Sequence, residues 1–224
     1  MKSCLLWTVI LISLFPASLR AVELNPAVAA WLAAQTNITS WTADFLQTRS
    51  LKSLAQPLTA TGTVWFAAPN RFRWELGKPA QTIAVRSSDQ MLVIYPRLKR
   101  VERYPLSGNQ TGPWKDALAL LEAGFPRSAA QLEEQYDILE QGTDQGIGRL
   151  VLQPKSAAAR RMMPKIAIEF DLAKNSLRAT TLYFADGSSL RNDFSNPVLN
   201  PLIDPKSFAP EIPKDYKVVE PLNK

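Results

Sequence analysis

From residue 41 onward, large apolar side chains alternate with polar ones. Trp41, Ala43, Phe45 and Gln47 fall on one parity, and Thr42, Asp44 and Leu46 on the other. A period of two is what a strand with two unlike faces requires. Similar runs follow at about 59–67, 70–76, 81–86, 90–95 and 99–104, punctuated by Gly77-Lys78-Pro79, Ser87-Ser88-Asp89 and Pro96-Arg97. Connections this short leave no room for crossover helices, so these strands must pair antiparallel. The run over 70–76 separates its faces most sharply. Phe72, Trp74 and Leu76 project one way, and Arg71, Arg73 and Glu75 the other.

Helical periods interrupt this pattern. Asn25-Pro26 supplies an N-cap and a first-turn proline, after which Val28, Trp31, Leu32 and Gln35 recur at helical spacing. After Gly112-Pro113, Trp114, Leu118, Leu121 and Phe125 form a second stripe that Gly124 and Pro126 stop. Residues 128–135 add one or two more helical turns. Strands resume at about 135–140, 147–153, 164–171, 176–184 and 188–194, with Asp186-Gly187 a hairpin signal. The stretch 156–161 reads as a loop, and a proline-rich excursion over 197–213 precedes a last short strand, 217–219. The sum is a mainly β, α+β fold. About ten or eleven antiparallel strands curl into an incomplete barrel, with helices laid over its concave side.

The first residues read as a leader rather than as part of the fold. Lys2, an apolar run over 5–15 and the small-residue stretch ending at Ala21 have the form of a secretory signal peptide. That leaves residues 22–224 as one domain. Cys4 is the single cysteine and lies in the leader, too early to serve as a lipid-attachment site. The exported chain is then free of cysteine, which suits the periplasm of a Gram-negative bacterium and stability drawn from a core. The formal charge of +6 becomes +4 once Lys2 and Arg20 leave. No cluster of cations is large enough for a nucleic-acid groove.

Catalytic chemistry is poorly provided for. The chain has no histidine, which removes the usual general base, the usual metal ligand and the Ser-His and Cys-His pairs. The carboxylates are scattered, so no catalytic residue, metal site or cofactor is expected. Phe72 and Trp74 then have two readings, ordinary core packing or the wall of a binding cavity. Met162-Met163, beside Arg160-Arg161 and Lys165, reads as a loop at a strand entrance or as a basic, apolar membrane contact.

Five blocks in order resemble the outer-membrane lipoprotein carrier family, the LolA-like periplasmic chaperones. They are residues 38–47 (ITSWTADFLQ), Gly62–Trp65 with Pro69–Trp74, Leu92–Pro96, Leu150–Lys155, and Phe208–Pro213 followed by Val218-Val219. The resemblance implies an incomplete β-barrel closed by a helical lid, and no enzyme. An apolar cavity would receive the acyl chains of a lipoprotein from an inner-membrane lipoprotein-releasing transporter and pass them to an outer-membrane acceptor. On this reading Trp41, Phe45, Trp65, Phe72, Trp74, Leu92 and Ile94 line the cavity of a monomer. Trp114, Leu118, Leu121 and Phe125 belong to the lid. Ala68 stands where many members carry an arginine that holds the lid, with Arg71 and Arg73 the nearest cations. Alternatives are a diverged carrier for another acylated lipid or polyene-type product, and a periplasmic module that senses lipoproteins.

Overall fold

The computed structural model describes residues 23–106 and 128–221. Their strands form one sheet in the order β12-β6-β5-β4-β3-β2-β1-β11-β10-β9-β8-β7, not closed into a barrel. The strands are β1 (Ser40–Ser50), β2 (Leu58–Ala67), β3 (Arg71–Leu76), β4 (Thr82–Arg86), β5 (Gln90–Tyr95), β6 (Arg100–Pro105), β7 (Tyr136–Asp144), β8 (Ile147–Pro154), β9 (Lys165–Asp171), β10 (Ser176–Tyr183), β11 (Ser189–Leu199) and β12 (Lys217–Val219). Two meanders, β1–β6 and β7–β11, are joined edge to edge where β1 pairs with β11, Phe45 lying opposite Phe194.

Antiparallel pairing holds for β1–β11, as the short connections require. The exception is β12, which runs parallel to β6, Val218 opposite Val101. A parallel neighbour needs a long crossover, and the proline-rich tail supplies it by crossing the outer face of the first meander. On the way Phe208 packs with Ala67 and Val85, while Ile212 and Tyr216 cover Leu92, Ile94 and Val101.

Among the described residues, three α-helices accompany the sheet: α1 (Pro26–Gln35), α2 (Ala129–Gln135) and α3 (Ala157–Met162). The Asn25 side chain caps α1 by accepting from the Ala27 N–H at 2.9 Å, with Pro26 in the first turn. Its buried stripe is Val28, Trp31 and Leu32. Trp31 stacks on Phe170 with ring centroids 4.1 Å apart and planes 15° apart. Phe170 in turn lies on Gly148, where an added Cβ would come within 2.1 Å of its ring. Helix, aromatic pair and glycine thus form one column, which fixes α1 on the inner face of the second meander.

The loop expected over 156–161 is α3. Ser156 caps it by accepting from the Ala159 N–H, and Ala-Ala-Ala-Arg-Arg-Met are strong helix formers. Of the paired methionines, Met163 is buried in the core and Met162 is exposed. Strands β1, β7 and β11 run past their expected ends. β11 continues to Leu199 because a register shift against β1 at Thr42/Asp44 absorbs Asn196 and Pro197, a bulge being where a strand tolerates proline.

A candidate acyl-binding wall

Residues directly opposite in an antiparallel pair share a face, so the registers sort the first meander into two surfaces. One row of the inner surface runs Trp41, Phe66, Phe72, Arg86, Met91, Tyr104 from β1 to β6. The next runs Ala43, Val64, Trp74, Ala84, Val93, Glu102. Trp74 sits between Val64 and Ala84, which leaves room for its indole to lie along the sheet. Phe45 packs on it at 4.1 Å, and Phe194 of β11 meets Trp74 edge-on at 6.2 Å and 88°. Phe194 also sits edge-to-face with Trp41 at 5.3 Å. Trp41 and Phe45 are buried, whereas Trp74 and Phe194 remain half-buried. The accessible part of this aromatic cluster is therefore the Trp74–Phe194 surface, with Leu76, Ala84 and Val93 around it.

Four of the expected cavity residues, Trp41, Phe45, Phe72 and Trp74, are brought together on this inner face. The other three are not. Trp65 lies opposite Arg73, and Leu92 opposite Val85 and Arg103, while Ile94 lies opposite Ile83 and Val101. All three point to the outer face and are covered by the tail, Trp65 against the Phe208 cluster and Leu92 and Ile94 against Ile212 and Tyr216. Strand parity overrides residue type here: the inner residues of β2 and β5 are Val64 and Phe66, and Met91 and Val93. Phe66, Met91 and Phe194 are wall residues that sequence reasoning missed. Counting parity outward from Phe72 through the hairpins gives the first two. Phe194 needed the β1–β11 pairing, which spans most of the chain. Trp114, Leu118, Leu121 and Phe125 lie outside the described residues.

Neither Arg71 nor Arg73 faces the wall. Arg73 pairs with Glu75 at 2.6 Å and donates to the Ser207 carbonyl, and Arg71 lies over the Phe208 ring at 5.3 Å. Both cations are committed to the tail. The cation in the aromatic rows of the first meander is Arg86, opposite Phe72 and Met91, while Arg49 and Arg100 share this face at its margin.

Polar groups border the wall on two sides. Toward β6, Tyr104 donates to Glu102 at 2.8 Å, and Arg100 pairs with the same carboxylate at 2.6 Å. Burial and then the Glu102 bond push the Tyr104 phenol well above its ordinary range, so it stays a donor. On the other side, Gln47 donates to Asn192 Oδ1 at 3.0 Å, and Asn192 donates to Thr180 Oγ1 at 3.3 Å. These three occupy opposing positions of β1, β11 and β10. Asn192 and Thr180 are each 6% exposed, so the ladder satisfies amides that would be costly to bury alone. Among the described residues no group of His, Cys, Asp and Glu could hold a metal ion.

An apolar aromatic surface with a polar border can bury hydrocarbon and reject charge. Residues 36–211 match the model of the family described as outer membrane lipoprotein carrier protein LolA. An outer-membrane lipoprotein carrier protein of Chromohalobacter salexigens is 29% identical over 185 residues, 82% of this chain and 81% of that protein. One of the same description from Methylococcus capsulatus is 29% identical over 184 residues, 80% of each chain. An uncharacterized conserved protein of Thermus thermophilus shares the fold, with a TM-score of 0.51 at 11% identity over 86% of this chain and 97% of that one.

Proposed function

The chain belongs to the outer-membrane lipoprotein carrier family, and on that premise we propose that its inner aromatic wall holds the acyl chains of a lipoprotein. Members of this family are binding proteins, not enzymes, and lipoprotein is the cargo they carry. The observation behind the proposal is the gathering of Trp41, Phe45, Phe72 and Trp74 with Phe66 and Phe194 on one face of the sheet, Trp74 and Phe194 still accessible. Each methylene buried there contributes ~0.8 kcal/mol. Retention therefore grows with chain number and length.

In this reading the exported chain works in the periplasm after losing residues 1–21, and accepts cargo from an inner-membrane transporter. It delivers that cargo to an outer-membrane acceptor. The segment bearing Trp114, Leu118, Leu121 and Phe125 competes with cargo for the same apolar surface. Competition of a few kcal/mol keeps exchange reversible without an energy source on the carrier. Because Ala68 stands where many relatives place an arginine, and Arg71 and Arg73 face the tail, resting closure relies on other contacts.

Native mass spectrometry of protein purified without detergent tests the proposal. Wild type is expected to carry acylated species, and Phe72→Glu, with unfolding unchanged in cooperativity, is expected to be empty. Equal loading of the folded Phe72→Glu variant would overturn the assignment. The masses recovered distinguish lipoprotein from any other acylated cargo.

A further inference from the structure

The registers place five connections at one end of the sheet: residues 51–57, 77–81, 96–99, 184–188 and the β8–β9 link, 155–164, that contains α3. These connections hold seven cations, Lys52, Lys78, Arg97, Lys99, Lys155, Arg160 and Arg161, against one anion, Asp186. The four connections at the other end, 68–70, 87–89, 145–146 and 172–175, hold only Asp89 and Lys174. Lys99 pairs with Asp215 and Lys155 with Asp137. At the β7 edge, α2 adds Glu133 and Glu134, the Glu133 carbonyl accepting from Lys155. Lys52, Lys78, Arg97, Arg160 and Arg161 have no carboxylate partner within ion-pair distance among the described residues.

Bare apolar side chains occur at the same end. Leu54 and Leu58 of the β1–β2 hairpin are 46% and 52% exposed, and Met162 at the end of α3 is 38% exposed. These are neighbours rather than scattered residues. The Lys52 stem lies against the Gly187 turn, and the Ala185 N–H of that turn donates to the Met162 carbonyl at 3.1 Å. The hairpin also reaches beyond β3, whose last partner on β2 is Gly62. Single exposed leucines need no explanation. Apolar tips set among cations that have no ion-pair carboxylate among the described residues do.

We propose that this end of the sheet docks on an anionic phospholipid surface. Phosphates would pair with Lys52, Arg160 and Arg161, while Leu54, Leu58 and Met162 enter the headgroup boundary. Such a surface takes both kinds of side chain at once, and the attraction is screened by salt. The docking positions the carrier at a membrane without using the aromatic wall, so it stands or falls independently of the cargo.

Flotation with phosphatidylethanolamine vesicles containing phosphatidylglycerol, against phosphatidylcholine vesicles of equal size, tests it. Wild type is expected to float with the anionic vesicles only, and to be released by high salt. Combined Lys52→Glu, Arg160→Glu and Arg161→Glu should lower the partition roughly tenfold or more. Leu54→Ser with Leu58→Ser should lower it less, and Lys174→Glu at the opposite end should leave it unchanged. All these positions are exposed, and unchanged thermal unfolding confirms that each variant is folded. No partition of wild type into anionic vesicles, equal partition of the charge-reversed variant, or binding to polyglutamate without binding to vesicles would each overturn the proposal.

Discussion

Phe45 lies across the β1–β2 ladder from Gly62, and its ring fills the space that a side chain at residue 62 would need. An added Cβ there would stand 2.2 Å from Phe45 Cζ and 2.2 Å from the Glu75 carbonyl oxygen. The ring can turn away, but the backbone oxygen cannot. Gly62→Ala should therefore destabilise the fold by about 2–3 kcal/mol and disturb the Phe45–Trp74 contact. Urea unfolding and near-ultraviolet circular dichroism measure both. At Gly142 an added Cβ meets nothing within 4 Å, so Gly142→Ala should stay within about 0.5 kcal/mol of wild type.

Asn192 is the middle rung of the amide ladder, and it both accepts and donates. Asn192→Ala would leave Gln47 and the buried Thr180 hydroxyl without their partner. A loss of about 1–3 kcal/mol is expected in denaturant unfolding. Combining Asn192→Ala with Thr180→Val should cost less than the sum of the two, since the second change removes a group the first had already orphaned.

Phe208 is buried on the outer face, against Ala67 and Val85 and under Arg71. Phe208→Ala should cost about 3 kcal/mol and loosen the tail. Amide hydrogen exchange should rise in β12 and residues 200–216, while acyl binding persists in the folded fraction. Loss of binding at full folding would place the wall on the wrong face.

On the outer face of the second meander, Arg191 binds both oxygens of Glu169, at 3.0 and 3.1 Å. These bonds hold the Glu169 carboxyl below its ordinary value, against an opposing effect of burial. A carboxylate with a depressed folded-state pKa adds stability above its unfolded value, near 4.3, and loses it as pH falls through the folded value. Glu169→Gln should lower stability at neutral pH and flatten the acid limb of stability against pH, as read from urea midpoints between neutral pH and the folded-state transition. An acid limb as steep as that of wild type would contradict the assignment.

Much of this fold was legible in local pattern, because strand period, turn residues and the Asn25-Pro26 start are all local signals. What escaped was set by distant partners. β12 turned out parallel because a tail of prolines crosses the sheet, and β11 ran on through Pro197 because β1 offered a bulge. At the site, large aromatic character drew attention to Phe72 and Trp74, which share the inner face, and equally to Trp65, which lies on the outer one. Size says that a side chain is buried, whereas only parity relative to its neighbours says on which face. Leu92 and Ile94 failed for the same reason, since both faces of β5 are apolar and the outer one is covered by Ile212 and Tyr216.

The central claim is that acyl chains lie on the inner face, against Trp74 and not against Trp65. Quenching of tryptophan fluorescence by a fatty acid brominated along its chain tests this directly, because bromine quenches only on near contact. Trp74→Phe should remove a large part of the saturable quenching, whereas Trp65→Phe should leave it intact. Quenching that disappears with Trp65 and survives the loss of Trp74 would contradict the account.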